Sequence, residues 1–378
     1  MFKSPVPAPV DRAAAARSCA SHGCSVNLPQ ESYISSAVFD WEMENLWASG
    51  WLCVGRTESL PASGASLAVT AGREGILLVR DSAGVLRAFF NVCRHRGHEI
   101  LRPGESSSAP CLRCPYHGWT YNQAGACVRM PAHPDQQPPT KARVKTYQSQ
   151  ERYGLLWVCL GEPANGLPPF PEWDQPGFAR AVCDPIPHVP AHGPRLIENF
   201  LDAAHFPFVH EGVLGDQAHP EMEDFDARIG PEGVESDPVY IYQPAQYGTT
   251  GGGRVSYIYH AYRPFTAHLT KHVPAGWWGP EAAPATHGLM LTLTPHDELD
   301  STVWFIITST LYSDHAKLQR EYTPRITAIF EEDRVMVQSQ RPELLPLDLQ
   351  AELHLKSDRV AIAYRTWLRR LGLKFGTA

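Results

Sequence analysis

Between Trp51 and about Gly161 the apolar residues fall into short runs: Trp51-Leu-Cys-Val54, Ser66-Leu-Ala-Val69, Gly75-Ile-Leu-Leu-Val-Arg80, Leu86-Arg-Ala-Phe-Phe90 and Gly154-Leu-Leu-Trp-Val-Cys159. Runs this short, broken by turn-forming residues, predict strands; a helix needs a longer apolar stripe at a period near 3.6. The stretch is expected to be an all-β module. A proline-rich segment, Pro163 to Pro176, then interrupts regular structure and marks a boundary. Beyond it the pattern mixes: a helical motif near 195–215, strands over His287–Thr294 and Ser301–Thr310, and helical periodicity from Pro324 onward. The expected fold class is α+β, with an all-β domain followed by an antiparallel sheet flanked by helices.

The start of the chain differs again. Residues 1–35, rich in Ala, Pro and Ser, read as a flexible arm. A helix is expected over 36–50, from a cap at Ser36 through Phe39–Trp47 to Gly50. The all-β domain then spans 51–162 and the second domain 163–378.

With 378 residues, 43% hydrophobic and 19% charged, the chain can hold two domains with real cores. A net charge of −7 and a pI near 6.2 argue against nucleic acid or an anionic membrane as a partner. No apolar run approaches the ~20 residues of a membrane span, and no basic start precedes an apolar signal core. A cytoplasmic protein is expected. Cys19, Cys24, Cys53, Cys127, Cys159 and Cys183 are scattered without a compact framework, which argues against disulfides.

Chemistry enters with Cys93-Arg-His95 and Cys114-Pro-Tyr-His117, two pairs separated by eighteen residues. Two thiolates and two imidazoles are the ligand set of a Rieske [2Fe–2S] cluster, with both sulfurs on one iron and both nitrogens on the other. Neutral imidazoles in place of thiolates reduce the negative charge of the reduced cluster and raise its potential. Because Cys111-Leu-Arg-Cys114 is itself a CxxC, a zinc ribbon with Cys93 and His95 is the competing reading; it leaves His117 unused. His98 is expected near the cluster without being a ligand.

A second constellation lies in Glu198-Asn-Phe-Leu-Asp-Ala-Ala-His-Phe-Pro-Phe-Val-His210. Asn199, Asp202 and His205 recur every three positions, so a helix is expected to present them on one face, with Pro207 ending or kinking it and His210 returning from the next turn. Two histidines and a distant carboxylate form a facial triad for Fe(II), leaving open positions for O2.

These segments resemble the Rieske non-haem iron oxygenases. Asn91-Val-Cys-Arg-His-Arg-Gly-His98 and Cys114-Pro-Tyr-His-Gly-Trp119 match the family's CxHRG and CPYHGW loops, and N-x2-D-x2-H-x4-H matches its mononuclear iron motif. The resemblance extends to the vanillate O-demethylase, dicamba O-demethylase and phthalate dioxygenase branch. It implies that Cys93, His95, Cys114 and His117 hold the cluster, and that His205 and His210 bind the mononuclear iron. By the same resemblance Asp333, in Phe330-Glu-Glu-Asp-Arg334, is the third ligand, with Glu331 and Glu332 as competitors. It further implies that Asp202 bridges His117 of a neighbouring subunit to His205, that Asn199 sits near the iron, and that a homotrimer closes the ring.

No GxGxxG follows a strand and no plant-type ferredoxin cysteine set is present, so NAD(P)H is expected to act only through a separate reductase, with or without a ferredoxin. The expected activity is that of a terminal oxygenase that hydroxylates or O-/N-dealkylates a small aromatic substrate. A cis-dihydroxylating dioxygenase and a Rieske electron carrier without oxygenase activity are the alternatives. The stretch Val255–Trp278, with Tyr257, Tyr259, His260, Phe265, Trp277 and Trp278, is a candidate aromatic pocket or a core stripe. Within it His268, Lys271 and His272 are candidates for a substrate carboxylate or for exposed positions.

Overall fold

A computed structural model describes residues 49–244 and 252–371. The arm and the helix expected over 36–50 lie outside the described residues except for Ser49 and Gly50. The described chain is α+β, and its contacts divide it into two compact units. One runs up to Leu167 and takes in Thr294–His296; the other comprises Pro168–Leu293 and the residues from Asp297 on.

In the first unit each apolar run expected to be extended is a strand. They are β1 (Leu52–Arg56), β2 (Ser66–Ala71), β3 (Glu74–Arg80) and β4 (Leu86–Phe90), followed by β5 (Ser106–Ser107), β6 (Cys111–Arg113), β7 (Thr120–Asn122), β8 (Cys127–Arg129), β9 (Thr146–Arg152) and β10 (Leu155–Cys159). Seven form one sheet, ordered β1-β10-β9-β4-β3-β2-β5, and β6-β7-β8 form a smaller one. Leu77, Val79, Phe89, Ile100, Leu112 and Tyr121 make the core beneath the two Cys–His loops, and the Cys93 and Cys114 side chains belong to that same core.

The second unit has a nine-strand sheet. Its members are β11 (Ala179–Val182), β12 (Ile186–Val189), β13 (Ala227–Gly230), β14 (Gly233–Ser236), β15 (Val239–Gln243), β16 (Gly253–Arg263), β17 (Thr266–Val273), β18 (Ala285–Asp297) and β19 (Asp300–Ser309). All pairings between β16, β17 and their sheet neighbours are antiparallel. Four helices accompany the sheet: α1 (Gly193–Leu201), α2 (Phe206–Val209), α3 (His315–Ser339) and α4 (Arg359–Arg370).

Two helical expectations need correction. Asn199, Asp202 and His205 do not share one helix face, because α1 stops at Leu201, with Asp202 extended as its C-cap at φ −95°, ψ 131° and His205 as the N-cap of α2. Pro207 accordingly opens α2 and does not end α1; proline is tolerated in the first turn, where its missing N–H would have no helical partner. Helix α3 begins at His315, nine residues before Pro324, capped by the Asp314 carboxylate on the Ala316 N–H at 2.9 Å. Pro324 lies inside this helix.

Candidate metal centres

The two Cys–His loops share one backbone design. Cys93 N–H donates to the His98 carbonyl and Cys114 N–H to the Trp119 carbonyl, both at 2.8 Å; Gly97 N–H returns to Cys93 and Gly118 N–H to Cys114, both at 3.0 Å. Such a reversal needs a left-handed residue, and Gly97 (φ 71°) and Gly118 (φ 68°) supply it without the Cβ penalty. Each loop buries its thiol and exposes its imidazole: Cys93 is 3% and Cys114 1% exposed, while His95 and His117 are exposed with ring centroids 4.4 Å apart. His95 stacks on Trp119 at 4.9 Å. Asn91, not singled out in the sequence, anchors the first loop by accepting from the Ile100 and Leu101 N–H groups and donating to the Leu101 carbonyl at 2.7 Å. Cys111 is a partly buried free thiol, and His98 bonds the neighbouring Glu99 carbonyl. Two buried sulfurs below two outward imidazoles are the donor set that would hold a mixed-ligand cluster.

In the second unit the break between α1 and α2 brings His205 toward His210, and α3 carries Asp333 to both. The three Nε2 and Oδ1 donor atoms are 3.3 Å (His205–His210), 3.2 Å (His205–Asp333) and 3.0 Å (His210–Asp333) apart. Donors at right angles around a metal about 2.1 Å away stand about 3.0 Å apart, so the set fits one face of an octahedron.

The outer nitrogens are committed elsewhere: His205 Nδ1 pairs with Asp202 Oδ2 at 2.9 Å and His210 Nδ1 with Glu332 Oε2 at 2.6 Å. Carboxylates on both Nδ1 atoms keep those nitrogens protonated, so the Nε2 atoms, which share protons with Asp333 here, are the ones a metal would take over. Glu332 thus touches His210 on the side away from the donor cluster, and Glu331 pairs with Arg334 on the surface. Asn199 Nδ2 donates to Asp333 Oδ1 at 3.2 Å.

Histidine and carboxylate charges face each other directly at this site. Burial alone would favour a protonated Asp333, but hydrogen bonds from His205 and His210 outweigh it and lower its pKa to about 2. Burial would likewise depress His205, yet Asp202 and Asp333 raise it to about 9. A cationic centre is therefore what the three donors favour.

They open onto a cavity lined by Phe206, Leu214, Leu269, Phe305, Ile307 and Phe330 among others. From the aromatic and basic stretch Val255–Trp278, Tyr257, Leu269 and Lys271 line it. His268 is instead buried against Glu172 at 2.9 Å, and His272 is exposed beside Thr286.

Two family models match the chain: the Rieske [2Fe–2S] domain over residues 50–148, and the vanillate O-demethylase oxygenase C-terminal domain over residues 189–374. A relative named probable methylxanthine N7-demethylase, from Pseudomonas sp. strain TJI-51, is 31% identical over 61% of this chain and 79% of its own length. The chain belongs to the Rieske oxygenases. Further relatives of this oxygenase are methylxanthine N1-demethylase of Pseudomonas putida, 28% identical over 74% of this chain and 75% of that protein, and the iron–sulfur subunit of the toluene-4-sulfonate monooxygenase system of Comamonas testosteroni, 27% identical over 82% and 94%. The solved structure of Pseudomonas putida CBB5 NdmA with caffeine superposes with a TM-score of 0.67 at 26% identity, covering 85% of this chain and 90% of that one.

This oxygenase is accordingly an oxidoreductase of the monooxygenase and demethylase kind, a terminal component that draws electrons from a separate reductase system. Its cofactors are a Rieske cluster and a mononuclear iron, and both donor sets described above fit those groups.

Proposed function

We propose that residues 51–162 form the electron-accepting domain and 163–378 the catalytic domain of a cytoplasmic homotrimer that monooxygenates a small aromatic substrate. Hydroxylation of a methyl or methylene group would release it by O- or N-dealkylation. In this reading Cys93, His95, Cys114 and His117 hold the cluster, and His205, His210 and Asp333 hold the iron. The single observation that carries it is the facial donor set of His205, His210 and Asp333 lining an otherwise mostly apolar cavity.

When bound, the cluster supplies single electrons and the iron supplies O2 activation. The chain's own residues do the rest. Asp202 and Glu332 keep the two imidazoles aimed, Asn199 holds the Asp333 carboxylate, and the apolar walls exclude water and seat the ring of the substrate. Asp202 is 31% exposed, and its carboxylate keeps free lone pairs beyond its bonds to His205 and the Ala204 N–H; this supports its reading as the receiver of a neighbouring subunit's His117. None of the helices in the described residues is long and apolar enough to cross a membrane, which is compatible with the cytoplasmic assignment.

The test is metal analysis with product analysis. The wild-type protein should hold about three irons per chain, and Asp333→Ala about two, with the cluster spectrum kept. With a surrogate reductase and methoxy- or N-alkyl-aromatics, labelled O2 should place one labelled oxygen in the formaldehyde released by dealkylation, trapped before it exchanges with water, and none in the ring product. Retained iron in Asp333→Ala would move the ligand to another carboxylate, and two labelled oxygens would make the enzyme a dihydroxylating dioxygenase.

A further inference from the structure

The cavity wall carries a polar row that the metal-holding residues do not use. Tyr257 on β16, Lys271 on β17 and His287 on β18 are directly opposed in the antiparallel register, Tyr257 with Lys271 and Lys271 with His287, and all three line the cavity. Opposed residues present their side chains on one face of a sheet. The surrounding wall is apolar, with Leu269, Leu289, Leu291 and Ile307.

Lys271 Nζ donates to Gln243 Oε1 at 2.8 Å and lies 5.7 Å from the centre of the Tyr257 ring. Gln243 cannot turn to satisfy it otherwise, since its Nε2 already donates to the Leu214 carbonyl at 3.1 Å and to the Tyr257 hydroxyl at 2.7 Å. One ammonium N–H is thereby used, and among the described residues no carboxylate pairs with Lys271. His287, 5% exposed, stacks on Tyr322 at 5.6 Å, and its Nδ1 has no hydrogen-bond partner. A cation without a counter-charge and an unpaired ring nitrogen, side by side in an apolar wall, are each costly until a ligand supplies the partners.

We propose that Lys271, together with His287, forms the recognition site for an anionic group, a carboxylate or a sulfonate, on the aromatic substrate. The inference rests on the reading of this cavity as the substrate site. An anion neutralises the ammonium as well as filling its N–H bonds, whereas a neutral carbonyl does only the second. Burial lowers the Lys271 pKa to about 8, which leaves the cation dominant at neutral pH.

The experiment measures dissociation constants calorimetrically on the iron-loaded holoenzyme for four probes of one shape: 4-methoxybenzoate, 4-methoxybenzenesulfonate, 4-methoxybenzamide and 4-methylanisole. At least one anion should bind about tenfold or more tightly than both neutral probes, and which anion does so identifies the headgroup. Lys271→Met should bring that ratio to about one with 4-methylanisole affinity within about twofold, and Lys271→Arg should retain part of the preference. If Lys271→Met fails to fold, Lys271→Gln carries the same expectation. Anions no tighter than the amide, a preference that survives loss of the ammonium, or no anion binding at all would each overturn the proposal. Because binding is read without turnover, a Lys271-dependent preference in an enzyme that oxygenates normally as Asp333→Ala would leave the anion site standing and sink the metal assignment.

Discussion

Tyr121 shows how much a single hydroxyl at the Cys–His loops can decide. Its oxygen accepts the Arg94 N–H at 3.0 Å and stands 3.2 Å from Cys93 Sγ, so the hydroxyl proton is left to point at the sulfur. Burial and the neighbouring thiol push the Tyr121 pKa up, which keeps that proton in place. A hydrogen bond to a cluster sulfur stabilises the reduced, more negative state. Tyr121→Phe should therefore lower the cluster potential, by ~40 mV if the bond contributes ~1 kcal/mol to the reduced form. Spectroelectrochemical titration of the purified protein reads this directly; an unchanged or higher potential would mean the hydroxyl serves only the Arg94 backbone.

At the scale of elements, helix α1 is held by charge. Arg365 on α4 grips Glu198 on α1 with two bonds, Nε–Oε1 at 2.6 Å and Nη2–Oε2 at 2.7 Å, and Arg195 reaches Glu352 at 2.8 Å. Arg195 and Arg365 are each 2% exposed, so removing one partner strands a buried charge. Arg365→Ala should destabilise the protein by about 3–5 kcal/mol in urea unfolding; a loss below about 1 kcal/mol would put the network on a par with exposed ion pairs. This clamp fixes where α1 lies, and the chain then breaks at Asp202 to turn His205 back.

Local chemistry made the Cys–His loops legible in the sequence, because their ligand spacing is set within a few residues. The break after Leu201 was not, since Asn199, Asp202 and His205 keep a helical spacing that tertiary packing overrides. Strand β9 was missed for a related reason: in Thr146–Arg152 Tyr147 is its only buried residue, so no apolar alternation marks it. Asp333 carried an unread signal, as it continues the apolar stripe Ile326, Phe330, Val337 of α3, where a carboxylate has no business unless it meets a cation. Lys271 was ambiguous because the first half of β17 is buried on both faces, which erases the two-residue period.

At the scale of the whole molecule, the outward imidazoles of His95 and His117 and the exposed edge of Asp202 bear on how many chains one turnover needs. If electrons cross from one chain's cluster to the next chain's iron around a closed ring, each junction needs a live donor and a live acceptor and no chain needs both. Co-expression of a cluster-deficient chain, Cys114→Ala, with an iron-deficient chain, Asp333→Ala, separates the two routes. Each variant alone should be inactive. In randomly mixed trimers about one junction in four pairs an intact cluster with an intact iron in the productive direction, so activity per chain should recover to about a quarter of wild type. Transfer within one chain predicts no recovery at any mixing ratio, because no single chain in the mixture holds both centres. The same preparation, sized by light scattering, checks that mixed trimers formed, so that silence from an assembled trimer counts against the cross-subunit route.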